Sequence, residues 1–163
     1  MTARVERVVT SGVFSLDGED FDVDNNVWIV GDESEVVVVD AAHDAPAILA
    51  AVDGRRVVAV ICTHAHNDHV NAVRDLVDAT GAVVRLHPDD RMLWDVVNEG
   101  VAFEPLADGD EIAVAGTTLH VLHTPGHSPG GVCLYAPDLG VVLSGDTLFC
   151  GGPGATGRSF SDF

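Results

Sequence analysis

Val57-Val58-Ala59-Val60-Ile61-Cys62-Thr63-His64-Ala65-His66-Asn67-Asp68-His69 is the stretch that decides the fold. Its first six residues form an unbroken apolar run, the mark of a strand buried on both faces. Polar residues follow at once, and His64, His66, Asp68 and His69 can all ligate a metal ion. In an extended segment, residues two apart point the same way, so His64 and His66 can reach one ion together. Asp68 and His69 fall where the chain turns into the next helix and can face a second ion. Imidazole suits zinc or iron, and carboxylate tolerates harder metals such as manganese. Histidine is rare, so four ligands at these offsets directly after a strand are hard to obtain by accident. The cluster also follows the carboxyl end of a strand, where α/β folds commonly carry their binding groups.

Outward from this segment, the pattern predicts strands first and then strands alternating with helices. Upstream, residues 4–14 read as β-prone, and 16–24 as an acidic loop holding the turn signal Asp17-Gly18. Residues 26–31 and 35–40 read as a hairpin joined by Gly31-Asp32-Glu33-Ser34. Pro46 opens a short helix that Gly54 ends. Downstream, 70–80 reads as one helix with Val70, Val73, Leu76 and Val77 on a common face, stopped by Gly81. A strand over 82–86 and a helix over 89–98 follow. Hairpins are predicted from 111–114 with 118–122, turning at Gly116, and from 132–135 with 141–143. Such alternation implies a layered α/β architecture.

The 163 residues suit one domain with a real core, and 47% of them are apolar. No apolar run approaches the roughly 20 residues needed to span a bilayer. The charged start, Met1 to Arg7, lacks the apolar stretch of a signal peptide, so the reading is a cytoplasmic protein. Net charge is −18, from 26 acids against 8 bases, and every base is an arginine. So negative a field repels phosphate backbones and anionic lipids, which excludes nucleic acid and membrane surfaces as partners. Oligomeric state has no signature. Cys62, Cys133 and Cys150 are odd in number and widely spaced, which argues against a disulfide framework, and all three read as packing residues.

Two later segments complete the set of metal-capable groups. Thr124-Pro125-Gly126-His127-Ser128-Pro129-Gly130-Gly131 is a loop stiffened by prolines and displaying one histidine. Ser144-Gly145-Asp146-Thr147 puts a carboxylate at the end of the strand 141–143. Either alone is weak; with the first cluster they are specific.

From Asn26 to Gly154 the chain resembles the metallo-β-lactamase superfamily, and within it the glyoxalase II-like hydrolases. The resemblance implies a four-layer αββα sandwich with metals at one edge of two sheets. It implies a first ion on His64, His66 and His127, a second on Asp68 and His69, and Asp146 bridging both. Zinc, one or two ions per chain, is the expected cofactor, with iron or manganese accepted by the same ligands. Family members carry one more histidine in a later segment. No histidine follows His127 here, so against the family the chain reads as lacking its last C-terminal elements, and the expected domain, 1–163, as C-terminally incomplete.

No serine elbow or Cys-His pair offers a nucleophile, which leaves water. A bound divalent ion lowers the pKa of water to about 7, making hydroxide available to attack an acyl carbonyl. Asp68 is assigned to orient that nucleophile or relay its proton. The resemblance implies a small-molecule substrate, a thiol ester whose carrier is glutathione or mycothiol. Arg158 and His43 are candidate substrate contacts. Asp40 is a candidate partner for a metal-bound histidine, since such rings usually donate their other nitrogen to a carboxylate. His87, His120 and His123 read as structural, and Trp28, Trp94 and Tyr135 as core or rim aromatics. Two alternatives share the motifs: a mono-iron persulfide dioxygenase using His64, His127 and Asp146, and a non-catalytic domain stabilised by its metal.

Overall fold

The computed structural model describes residues 2–156. The first two strands, β1 (Arg4–Leu16) and β2 (Glu19–Gly31), form one antiparallel ribbon in register from Arg4↔Gly31 to Leu16↔Glu19. The acidic segment 16–24 is therefore strand and not loop; only its turn was legible. Asp17 and Gly18 both adopt positive φ, at 53° and 82°. That is the two-residue turn whose twist matches a hairpin, and it locks the register. Serines opposite the acids then offset their poor strand propensity: Ser11 and Ser15 donate to Asp24 and Asp20 across the ribbon, each at 2.6 Å.

β3 (Glu35–Val39) returns antiparallel to β2, and β4 (Arg56–Ile61), β5 (Val83–Leu86) and the short β6 (Glu104–Pro105) add in parallel. They build a six-stranded sheet in chain order. The crossovers carry α1 (Ala45–Val52), α2 (Asn67–Val70), α3 (Val73–Thr80) and α4 (Arg91–Asn98). Asp44 caps α1, accepting from the backbone N–H of Ala47 at 2.9 Å. The helix ends at Asp53, left-handed at φ 53°, one residue before the glycine expected to stop it.

The single helix expected over 70–80 is two. The N–H of Ala72 donates to the carbonyl of Ala41 at 3.1 Å, so it leaves the helical ladder and breaks it between α2 and α3. Similarly, the helix expected from Asp89 begins as a 3-10 turn over Pro88–Asp90 before α4.

The second sheet is antiparallel: β7 (Glu111–Val114), β8 (Thr117–His123), β9 (Val132–Ala136) and β10 (Val141–Leu143), in the order β10-β9-β8-β7. A two-stranded ribbon, β11 (Leu148–Phe149) with β12 (Gly152–Pro153), follows. Two apolar cores result. One joins the helices to the first sheet through Val36, Val38, Val60, Ile48, Leu76 and Trp94. The other fills the space between sheets with Val37, Val39, Ile61, Leu119, Val121 and Leu134. Alternate residues of β3 serve opposite cores, which is why its sequence is uniformly apolar.

The layers among the described residues are thus α, β and β, three of the four layers of the αββα sandwich expected from the sequence. The outer face of the second sheet shows Leu122, Tyr135 and Val142, each more than 40% exposed. Cys62 and Cys133 are buried as expected, but Cys150 is exposed. No described helix is long and apolar enough to cross a membrane.

Candidate metal centre

The carboxyl ends of β3, β4 and β5 share one edge of the first sheet, and the loops after β8 and β10 come to the same edge of the second. Backbone and side-chain bonds join the two edges. Val132 N–H donates to the Thr63 carbonyl at 2.8 Å. Asp90, fully buried, accepts from Ala65 N at 2.9 Å, Ser128 Oγ at 2.9 Å and Gly130 N at 2.6 Å. One carboxylate therefore anchors the loop of His64 and His66 to the loop of His127.

Across this junction the six residues singled out in the sequence converge. His64, His66 and His127 bring ring nitrogens within 4.8 Å of one another. His66 Nδ1 lies 2.9 Å from His127 Nε2. Asp146 faces both groups, one oxygen to each. Its Oδ2 is 3.3 Å from His127 Nε2 and 4.0 Å from His64 Nε2, while its Oδ1 is 3.2 Å from His69 Nε2. Asp68 Oδ2 lies 3.6 Å from His69 Nε2. Asp146 sits in a 3-10 turn whose Gly145 is left-handed at φ 50°; a Cβ there would meet Thr63 Oγ1 at 2.3 Å. Only glycine lets the turn approach the strand end this closely.

The donor set fits a cation. His64 Nε2 is buried and has no hydrogen-bond partner in the protein, a costly state for a lone pair that an ion would relieve. Three imidazole nitrogens on one side, and a carboxylate, an imidazole and the shared Asp146 on the other, are ligands of the kind zinc and iron take. Asp40 also groups with His64 and His69, but its oxygens are already engaged. They accept from Thr63 N and Thr63 Oγ1, both at 2.7 Å, and from His69 Nδ1 at 3.0 Å. Asp40 thus orients His69 and leaves its Nε2 facing Asp146. It does so from a left-handed backbone, φ 57°, uncommon for a non-glycine and typical of functional sites.

Charge among these side chains is divided. Burial pushes His64 well below the ordinary histidine range, and burial with neighbouring His127 takes His66 to about 4. Burial also opposes charge on His69 and His127, yet Asp146 raises both, with help from Asp40 for His69 and from the Ala155 carbonyl for His127. Burial likewise works against the Asp146 charge, but hydrogen bonds from His127 and His69 hold its carboxyl far below the usual range.

Of the remaining candidates, His43 is one step removed. Asn71 Nδ2 donates to its Nδ1 at 3.0 Å, so Nε2 carries the proton and donates to Asn25 Oδ1 at 2.9 Å. Arg158 lies outside the described residues. His87 and His123 stack at 4.0 Å, and His123 Nε2 donates to the Pro129 carbonyl at 3.0 Å, bracing the loop of His127. Asn25, Thr63 and Asp90 escaped the sequence reading. Asn25 falls between the segment read as an acidic loop, 16–24, and the strand expected from 26, and only its position beside a strand that meets the site could have marked it.

A cavity of about 460 Å³ opens beside the metal-capable residues, floored by His66, Asp68, His69, His127 and Asp146. Cys150 lies on its rim and not in a core, because the ribbon β11–β12 carries it outward.

The profile of the metallo-beta-lactamase superfamily matches residues 21–161. A hydroxyacylglutathione hydrolase from Pseudomonas putida is 37% identical over 139 residues, which cover 80% of this chain and 50% of that protein. Two solved structures are similar. TTHA1623 in a di-iron-bound form matches with a TM-score of 0.74 and 34% identity, over 84% of this chain and 74% of its own. ETHE1 from Myxococcus xanthus matches with a TM-score of 0.63 and 27% identity, over 79% and 55%. The chain spans about half the length of the hydroxyacylglutathione hydrolases it matches.

Proposed function

This chain belongs to the metallo-beta-lactamase superfamily, and from that membership we propose that it hydrolyses a thiol ester at a metal centre. The ligands are His64, His66 and His127 on one side and Asp68 and His69 on the other, with Asp146 shared. The observation that carries this reading is the split of Asp146, whose two oxygens face the two histidine groups at 3.3 and 3.2 Å. The partnerless Nε2 of buried His64 supports it.

A divalent cation held there supplies Lewis acidity and water with a pKa near 7. The protein does the rest. Asp68 faces the cavity, and its Oδ2, held by Asn25, is the atom that takes the proton from the attacking water. The water oxygen ends on the acyl carbon, the carbon–sulfur bond breaks, and the proton follows to the departing thiolate. Asp40 keeps the His69 ring turned toward the centre. The thioester preference rests on the hydroxyacylglutathione hydrolases, at up to 37% identity, and the preference for zinc on the ligand chemistry.

A second reading, a mono-iron persulfide dioxygenase, is favoured by one observation. His64, His127 and a single Asp146 oxygen lie together, at 4.0 and 3.3 Å, the two-histidine, one-carboxylate set of iron oxygenases. Elemental analysis with turnover assays on zinc-loaded protein separates the two. Thioester hydrolysis is the expected result. One iron per chain with oxygen uptake supports the dioxygenase, and lactone or phosphodiester cleavage without thioester cleavage rejects the thioester assignment.

A further inference from the structure

The cavity wall carries information about the substrate that the metal-capable floor does not. The β1–β2 ribbon contributes Phe14, Val23 and Trp28 to the lining, and the β11–β12 ribbon contributes Leu148 and Phe149. Leu148 and Phe149 are 58% and 50% exposed, which leaves apolar surface open toward the cavity. Phe14 reaches the centre itself, its ring 6.1 Å from that of His66 at 64°. The charged groups on the described lining, histidines aside, are Asp24, Asp40, Asp68 and Asp146; no arginine is among the described lining residues.

From these apolar walls, which carry no arginine among the described lining residues, we infer that the site selects thioesters whose acyl group is an uncharged hydrocarbon chain. The acyl group lies between Phe14 and Leu148, with its carbonyl over the floor. Along the walls, away from the acids assigned to the metal, an acyl group bearing a carboxylate would meet Asp24 and no described arginine. A hydrocarbon chain would cover both walls at no electrostatic cost. This inference rests on the hydrolase reading for its reaction but not for its binding.

The test uses zinc-loaded full chain and two series. Acetyl, butyryl and hexanoyl thioesters of one neutral thiol are compared by kcat/KM, and acetate, butyrate and hexanoate by calorimetric titration. Burying a methylene is worth about two- to fourfold in a partly open pocket, so hexanoyl, with four more methylenes, should exceed acetyl by roughly 15- to 250-fold in both series. Phe14→Ala and, on the exposed ribbon, Leu148→Ala should each weaken hexanoate binding several-fold and leave acetate unchanged. Equal binding constants across the acids would overturn the inference, whatever the turnover. A rising binding series with no thioester cleaved would leave the pocket's selectivity standing and reject the hydrolase reading. Turnover indifferent to chain length would do the reverse.

Discussion

Asn25 Nδ2 donates to Asp68 Oδ2 at 3.0 Å, joining a residue of the first ribbon to a metal-capable carboxylate 43 positions away. The same nitrogen is 3.2 Å from His69 Nε2. Behind it runs a chain of bonds with one direction, Asn71 to His43 to Asn25 to Asp68. Every link runs from donor to acceptor, so on this side a neutral amide holds the Asp68 carboxylate.

Asn25→Ala removes that hold. Outer partners of metal ligands typically matter by 10- to 100-fold in affinity. Binding of the second ion equivalent should weaken by about that factor, with the first equivalent little changed. Calorimetric titration of zinc into metal-free protein reads both steps. Equal loss at the two steps would mean that Asn25 supports the fold and not Asp68.

His66→Ala should drop the zinc content below one ion per chain and abolish thioester turnover, while the far-ultraviolet circular dichroism of the metal-free protein stays as before. Unfolding of this variant, with activity lost only in proportion, would mark a metal that serves stability alone.

Protonation of His69 and His127 has a definite sign. His69 and His127 hold their protons more tightly folded than unfolded. Their contribution to stability is therefore full below the unfolded imidazole pKa of about 6.5 and is lost as pH rises through their raised folded values. His64 and His66, held below the unfolded value, act the other way as pH rises through it, so the comparison is made above it: chelator-treated protein should melt at a lower temperature at about pH 9 than at about pH 7.5. Asp146 acts in the other direction: its depressed pKa stabilises above the ordinary carboxylate range, and that contribution fades only in strong acid. Zinc uptake at neutral pH must displace protons from the two histidines. Calorimetry in buffers of different ionisation heat should detect release of more than one proton per chain; none released would contradict the assignment of His69 and His127 as ligands.

Asp90→Ala leaves three buried donors, two of them backbone, without an acceptor. At about 1–3 kcal/mol for each unsatisfied donor, the loss should be roughly 3 kcal/mol or more. Urea unfolding should show a lower midpoint with unchanged slope. Asp90→Asn, which keeps one acceptor oxygen, should recover part of the loss.

The sequence made the metal-capable residues legible because their chemistry is rare: histidines two apart after an apolar strand have few other uses. Strand β4 and the hairpins of the second sheet were legible from periodicity and turn residues. The long first ribbon was not, since its acids disfavour strands and only cross-strand serine contacts offset them. The break between α2 and α3 was hidden because its cause, the carbonyl of Ala41, is 31 positions away from Ala72. Asn25 and Asp90 were hidden for the same reason. A buried asparagine or aspartate looks like any polar loop residue until the partners it serves are brought beside it.

The candidate ligands come from both halves of the sandwich: His64 and His66 leave the six-stranded sheet, while His127 and Asp146 leave the four-stranded one. A cation gripped by all of them is a clasp as well as a reagent, since pulling the halves apart must first tear it out. Affinity for the ion and cohesion of the sandwich would then be one free energy read in two ways. Any substitution that loosens the seam, however far from the reacting atoms, should surface as a leak of metal.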